Sequence, residues 1–148
     1  MNSENPSVAR DASITNASAA TNKRIEKKLQ MTLEAGHSGS AVVLHCQGRM
    51  IFHREARALS SIVAEVLPSA QRMVVDLAGI DAIDSGGLGE LVLTHMWAEA
   101  AGYSLKFASP KRSVRHLFEV TNLISVLDMY ASVPAAMAAM ISEEIRSA

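Results

Sequence analysis

An α/β sandwich, with a mixed but mostly parallel sheet and about four helices, is the fold that the sequence predicts. Three observations lead there. Short apolar runs of strand length alternate with longer segments of helical period. A strand–helix–strand order demands parallel neighbours joined by right-handed crossovers. Two strand-like runs at the start, separated by the turn-forming Ala35 to Ser40, add one antiparallel hairpin.

Length and composition set the outer bounds. The 148 residues, 49% hydrophobic and 20% charged, suit one globular domain with a real core. Residues 1–24 are rich in Ser, Asn, Ala and Thr without apolar period, and are expected to be a disordered tail. The domain is expected over 25–148. Lys23, Arg24, Lys27 and Lys28 read as a solvated lead-in. A net charge of −1 supplies no field for recruiting nucleic acid or an anionic membrane. No apolar run approaches the ~18–20 residues of a bilayer span. The N-terminus lacks the apolar core of a secretory signal. Cys46, alone, excludes an internal disulfide and a Cys-rich metal site. A cytoplasmic protein is expected.

The elements come in order along the chain. Leu29, Met31 and Leu33 alternate with polar residues, the period of a half-exposed strand. Ala41 to Gln47 reads as its antiparallel partner, with Val42, Leu44 and Cys46 on one face and Val43 and His45 on the other. Gly48 is expected to end it. From His53 to Leu67, the positions Leu59, Ile62, Val63 and Val66 form one helical stripe, stopped by Pro68. Met73 to Asp76 is a buried strand. A helix from about Gly87 to Ala101 is expected to turn Val92, Leu93, Met96, Trp97 and Ala100 to the sheet, with His95 and Glu99 on a polar face. Gly102 suits its left-handed stop. Ser104 to Ala108 is a strand, and Ser109-Pro110 reads as a cap with proline at the first helical position. The short helix after it has Val114, Leu117, Phe118 and Thr121 inside, Lys111, Arg112 and Arg115 outside, and Asn122 as a left-handed stop. Leu127 to Tyr130 is a last strand. Ser132-Val133-Pro134 opens a final helix with Val133, Met137, Met140, Ile141 and Ile145 inside.

The stretch Met73 to Leu93 organises the rest. A strand, two apolar–acid steps and Ser85-Gly86-Gly87 run into the central helix. Asp84 or Ser85 can accept from the unpaired N–H groups of its first turn. Paired glycines leave the backbone bare to whatever approaches. Leu88 and Leu91 lie on a separate flank, which either packs on a neighbouring helix or forms an apolar patch beside the tip for a protein partner.

Enzymatic motifs are weak. Gly87-Leu88-Gly89 matches only the start of G-x-G-x-x-G, and no acid ends the next strand to hold a ribose. No phosphate-binding G-x-x-x-x-G-K-[ST] is present, and Ser85 is not in G-x-S-x-G. Histidines 37, 45, 53, 95 and 116 have no metal-ligand spacing. Asp76, Asp81 and Asp84 admit a reading as a magnesium cluster of a small nucleotide-dependent enzyme, but strand ends and a helix cap account for them without a metal, and that reading is favoured.

The run VVDLAGIDAIDSGGLGEL, with ASPKRSVRHLFEVTNL after it, resembles the STAS domain of anti-sigma factor antagonists. The likeness spans about residues 29–145. It implies a STAS-like sandwich and a non-enzymatic protein without cofactor or bound metal. It further implies docking on an anti-sigma factor with a kinase-like ATPase fold, which releases a sigma factor and so regulates transcription. The partner-binding residues would be Asp84, Ser85, Gly86, Gly87, Leu88 and Leu91. Members of this family usually carry two serines after the aspartate, the second being phosphorylated by the partner. Gly86 stands there in this chain, leaving Ser85 as the remaining hydroxyl. The family's Gly-Glu-Leu-Asp turn is altered to Gly48-Arg49-Met50-Ile51. A STAS scaffold of a stress-sensing assembly, or an accessory subunit on a transporter ATPase, is the alternative with the same fold. Self-association through the apolar flank stays open.

Overall fold

The computed structural model describes residues 31–147. The tail, the cluster Lys23 to Lys28 and Leu29 lie outside the described residues.

Among the described residues, five strands form one sheet in the order β1-β2-β3-β4-β5, matching their order in the chain. They are β1 (Met31–Ser38), β2 (Ala41–Met50), β3 (Arg72–Ile83), β4 (Ser104–Ala108) and β5 (Met129–Tyr130). β1 and β2 are antiparallel, with register from Ser38↔Ala41 to Met31↔Gly48. Every later pair is parallel. The helices are α1 (Phe52–Ala70), α2 (Ser85–Ala101), α3 (Arg112–Val120) and α4 (Val133–Ser147). The predicted α/β sandwich, mixed sheet and four helices are therefore present.

Alternation along the strands divides the core between two faces. Val42, Leu44, Cys46, Met73, Val75, Leu105 and Phe107 join the side chains of α1, α2 and α3 in one apolar layer. Ala41, Val74 and Ala108 point the other way, against Ala136 and Met140 of α4. Cys46 is buried, and its thiol is pushed well above the usual range, by burial first and by the Asp76 charge second. It is a core residue, as its alternation implied.

Several boundaries differ from the sequence reading, each for a local reason. β1 extends to Ser38 and the turn tightens onto Gly39, whose φ of 59° is left-handed. β2 runs through Gly48 (φ 115°) to Met50 instead of stopping. α1 passes Pro68 and ends at Ala70, where Gln71 takes the left-handed stop. Pro68 and Ala64 both lie on the exposed face, so the hydrogen bond that proline cannot donate is missing on the solvent side. Ser109 is not a cap. It adopts φ 62° and donates its N–H to the Tyr130 carbonyl at 3.0 Å, so α3 starts later, with Lys111 as N-cap. Gly102 and Asn122 are left-handed stops as expected. β5 is only Met129–Tyr130, with Leu127 buried before it. In α4, Ile141 and Ile145 are 55% and 71% exposed, and Ala136 takes the inner place expected of them.

β3 is the longest strand, and its length positions the site. Against β2 it carries one extra residue between His45↔Asp76 and Gln47↔Gly79, and another between Gly48↔Ile80 and Arg49↔Ala82. Such bulges bend a strand and re-aim the residues beyond them. Gly79 permits the first, since a Cβ there would come within 2.6 Å of the Cys46 carbonyl. The bent strand delivers Ile83 beside Met50, and the Asp84 N–H donates to the Met50 carbonyl at 3.3 Å.

Candidate functional site: the tip of the central helix

Asp84 is the N-cap of α2. Its backbone is extended, and its Oδ1 accepts from the Gly87 N–H at 2.9 Å, which satisfies one of the unpaired donors of the first turn. Of the two residues that the sequence offered as caps, Asp84 serves. Ser85 is exposed at the first helical position.

The glycines of the tip have different tasks. Gly87 is buried, and a Cβ there would lie 2.8 Å from the Met50 carbonyl and 3.0 Å from Ile83 Cγ1. It lets the helix start directly on the strand ends. Gly86 is exposed, and its missing Cβ would meet nothing nearer than Asp84 Oδ1 at 3.5 Å. Gly89 is exposed with open space around it. Ser85, Gly86 and Gly89 thus form a bare surface fixed from below by Gly87.

The rest of α2 is rotated relative to the sequence reading. Leu88 and Leu91 are 5% and 0% exposed and sit in the main core with Ala98, so the packing alternative holds for this flank and the exposed patch expected there is corrected. Thr94 and His95 share that buried side. Leu93, Met96 and Trp97, expected against the sheet, are exposed at 62%, 55% and 39%, and Ala100 is exposed with them. Val92 is intermediate and still touches the core. The helix is apolar on every side, so periodicity alone could not choose its inner face. The usable signal was the helical spacing of the small residues Gly87, Thr94 and Ala98, which share the buried side with Leu91.

Thr94 and Glu90 find local partners. Thr94 Oγ1 donates to the Glu90 carbonyl at 2.7 Å, and Ser60 Oγ of α1 donates to Glu90 Oε2 at 2.7 Å. His95 lies edge-tilted against Phe107, ring centroids 6.5 Å apart. Its Nδ1 has no hydrogen-bond partner among the described residues. His95 Nε2 is 3.9 Å from Glu99 Oε2, so the expected i, i+4 pair exists, with the histidine buried instead of on a polar face.

Asp76, Asp81 and Asp84 do not converge. Asp76 Oδ2 lies 2.7 Å from His45 Nδ1, and its Oδ1 accepts from the Ala78 N–H. Asp81 pairs with Lys111, the N-cap of α3, and Asp84 caps α2. Among the described residues no group of three or more His, Cys, Asp or Glu is placed to hold a metal ion. None of their helices is long and apolar enough to cross a membrane.

The family model for the STAS domain matches residues 28–136, and the chain belongs to that family. No curated protein sequence matches the chain. Solved structures share the fold. A candidate anti-sigma factor antagonist from Thermotoga maritima superposes with a TM-score of 0.62 at 21% identity, covering 77% of this chain and 94% of its own. An anti-sigma factor antagonist from Mycobacterium paratuberculosis gives 0.65 at 20% identity, covering 74% and 92%. The anti-sigma factor antagonist SpoIIAA, in its unphosphorylated form, gives 0.60 at 18% identity, covering 75% and 97%.

Proposed function

We propose that this protein is a non-enzymatic anti-sigma factor antagonist that docks, through the tip of α2, on an anti-sigma factor with a kinase-like ATPase fold. Docking would release a sigma factor in the cytoplasm. The observation that carries this reading is the bare tip: Asp84 holds the first turn, while Ser85, Gly86 and Gly89 face outward with almost no side-chain cover. Three solved structures of the same fold bear that functional name. Of the six partner-binding residues read from the sequence, Asp84, Ser85 and Gly86 supply the surface. Gly87, Leu88 and Leu91 act from beneath, by fixing where that surface stands.

Phosphorylation at the usual position is absent in this reading, because Gly86 has no hydroxyl. A phosphate adds roughly −1.5 to −2 charges and would spoil an interface fitted to a neutral tip. Ser85 is exposed at the first helical position but one residue away. The test is incubation of wild type and Gly86→Ser with a purified anti-sigma factor and ATP, then gel filtration and mass spectrometry. Wild type should form a complex and stay unmodified, and Gly86→Ser should gain phosphate. Failure of wild type to form any complex overturns the antagonist role, and phosphate on Ser85 overturns the lost switch.

A further inference from the structure

The place of the tip depends on the two extra residues that β3 carries beside β2. From His45↔Asp76 to Met50↔Ile83 the register advances by five residues on β2 and seven on β3. Registered neighbours share a face, so with both extra residues Ile83 falls beside Met50 in the core. With one of them lost, Ala82 would take that place and Ile83 would turn to the other side. The start of α2 would also move by one residue along the strand, about 3.3 Å. Whatever holds the first bulge therefore holds the tip.

A pair of side chains sits on that bulge. Asp76 is the last registered residue before it, and Gly79 is the first after it. Asp76 Oδ1 accepts from the Ala78 N–H at 3.0 Å, which closes a turn over the inserted stretch. Asp76 Oδ2 lies 2.7 Å from His45 Nδ1. An ionised carboxylate only accepts, so the imidazole donates from Nδ1. That bond ties the turn to β2 at the rung where the regular register stops. The Asp76 side chain is 15% exposed and that of His45 50%, so the carboxylate is held from within the sheet and braced from outside.

We infer that Asp76 is a positioning residue for the docking tip: braced by His45, its carboxylate fixes the first bulge of β3 and so sets where Asp84, Ser85 and Gly86 stand. This rests on the reading of the tip as the docking surface. Asp76 acts on docking through β3, without touching the partner.

The test uses the isotope-labelled full chain as wild type, Asp76→Ala, Asp76→Asn and His45→Ala. Asparagine removes the same charge as alanine does, but keeps an oxygen for the Ala78 N–H and an amide to pair with His45. The readouts are the amide resonances of Gly86 and Gly89 and the calorimetric affinity for a purified anti-sigma factor, both well below the melting temperature. Asp76→Ala should shift both resonances and weaken binding about tenfold, as expected when a site is no longer held in its productive geometry. His45→Ala should do the same less strongly, and Asp76→Asn should stay close to wild type. An Asp76 that serves stability alone would lower the melting temperature and leave the Gly86 resonance and the affinity unchanged. That result overturns the inference, as does Asp76→Asn behaving like Asp76→Ala. If Asp76→Ala does not fold, His45→Ala decides on the same two readouts. A wild type that forms no complex removes the docking reading, while the Gly86 resonance still decides whether Asp76 sets the tip. Binding lost with Gly86→Glu but kept with Asp76→Ala leaves the docking reading standing and sinks this one.

Discussion

Gly87 rests against Met50 so closely that a Cβ would stand 2.8 Å from the Met50 carbonyl oxygen. That contact seats α2 on the strand ends, because the neighbouring Asp84 N–H is bonded to the same carbonyl at 3.3 Å. β2, β3 and α2 meet at this point.

Gly87→Ala should therefore destabilise the protein by about 1–3 kcal/mol, the usual cost of forcing atoms into a filled site. Gly86→Ala, one residue earlier in open space, should be neutral or stabilising by up to about 1 kcal/mol, since glycine is a poor helix former. Urea unfolding of the pair checks this. Equal effects would show that the helix start has room to shift.

The orientation of α2 gives a second pair. Leu91→Ala empties a fully buried position and should cost about 2–5 kcal/mol. Leu93→Ser changes a residue that is 62% exposed and should move stability by less than about 0.5 kcal/mol. Thermal unfolding distinguishes the two. A larger loss at Leu93 than at Leu91 would mean that the helix faces the other way.

On the opposite face, α4 is held partly by charge. Lys106 Nζ, nearly fully buried, donates to Glu143 Oε2 at 2.8 Å and Asp128 Oδ2 at 3.3 Å, and lies 5.3 Å from the Tyr130 ring centroid. Burial works against its charge. The hydrogen bond to Glu143 and the charges of Asp128, Tyr130 and Glu143 outweigh burial and hold the ammonium above the ordinary lysine value. A folded value above the unfolded one stabilises fully below the unfolded lysine range, about 10.4. The contribution is lost as pH rises through the folded value. Glu143→Gln should cost about 1–3 kcal/mol at neutral pH, tempered by the half-exposed carboxylate. Its deficit relative to wild type should shrink in alkali. A deficit independent of pH would contradict the role given to the ammonium.

The order of elements along the chain, the helix number and a cap at Asp84 or Ser85 were legible because each leaves a local mark: alternation in Met31 to Leu33, the stripe Leu59 to Val66, a carboxylate before paired glycines. The bulges in β3 left none. Gly79 matters through the Cys46 carbonyl on another strand, a contact that the sequence around it does not encode. The inner face of α2 was hidden for a related reason. Leucine, methionine and tryptophan on every side give periodicity nothing to choose between, whereas the inner side carries the small residues Gly87, which lies close against Met50, and Ala98, which is fully buried. Pattern alone puts Ile141 and Ile145 inside α4, whereas the sheet beneath that helix offers mainly Ala41, Val74 and Ala108.

The claim that the exposed tip of α2 is the docking surface is tested most directly by calorimetry with a purified anti-sigma factor of the kinase-like ATPase type, comparing wild type with Gly86→Glu. Glutamate adds bulk and charge where only Asp84 Oδ1 is near, so the fold should keep its melting temperature. The account predicts an affinity at least tenfold weaker, a loss of about 1.4 kcal/mol or more. Unchanged affinity in a variant that folds normally would contradict it.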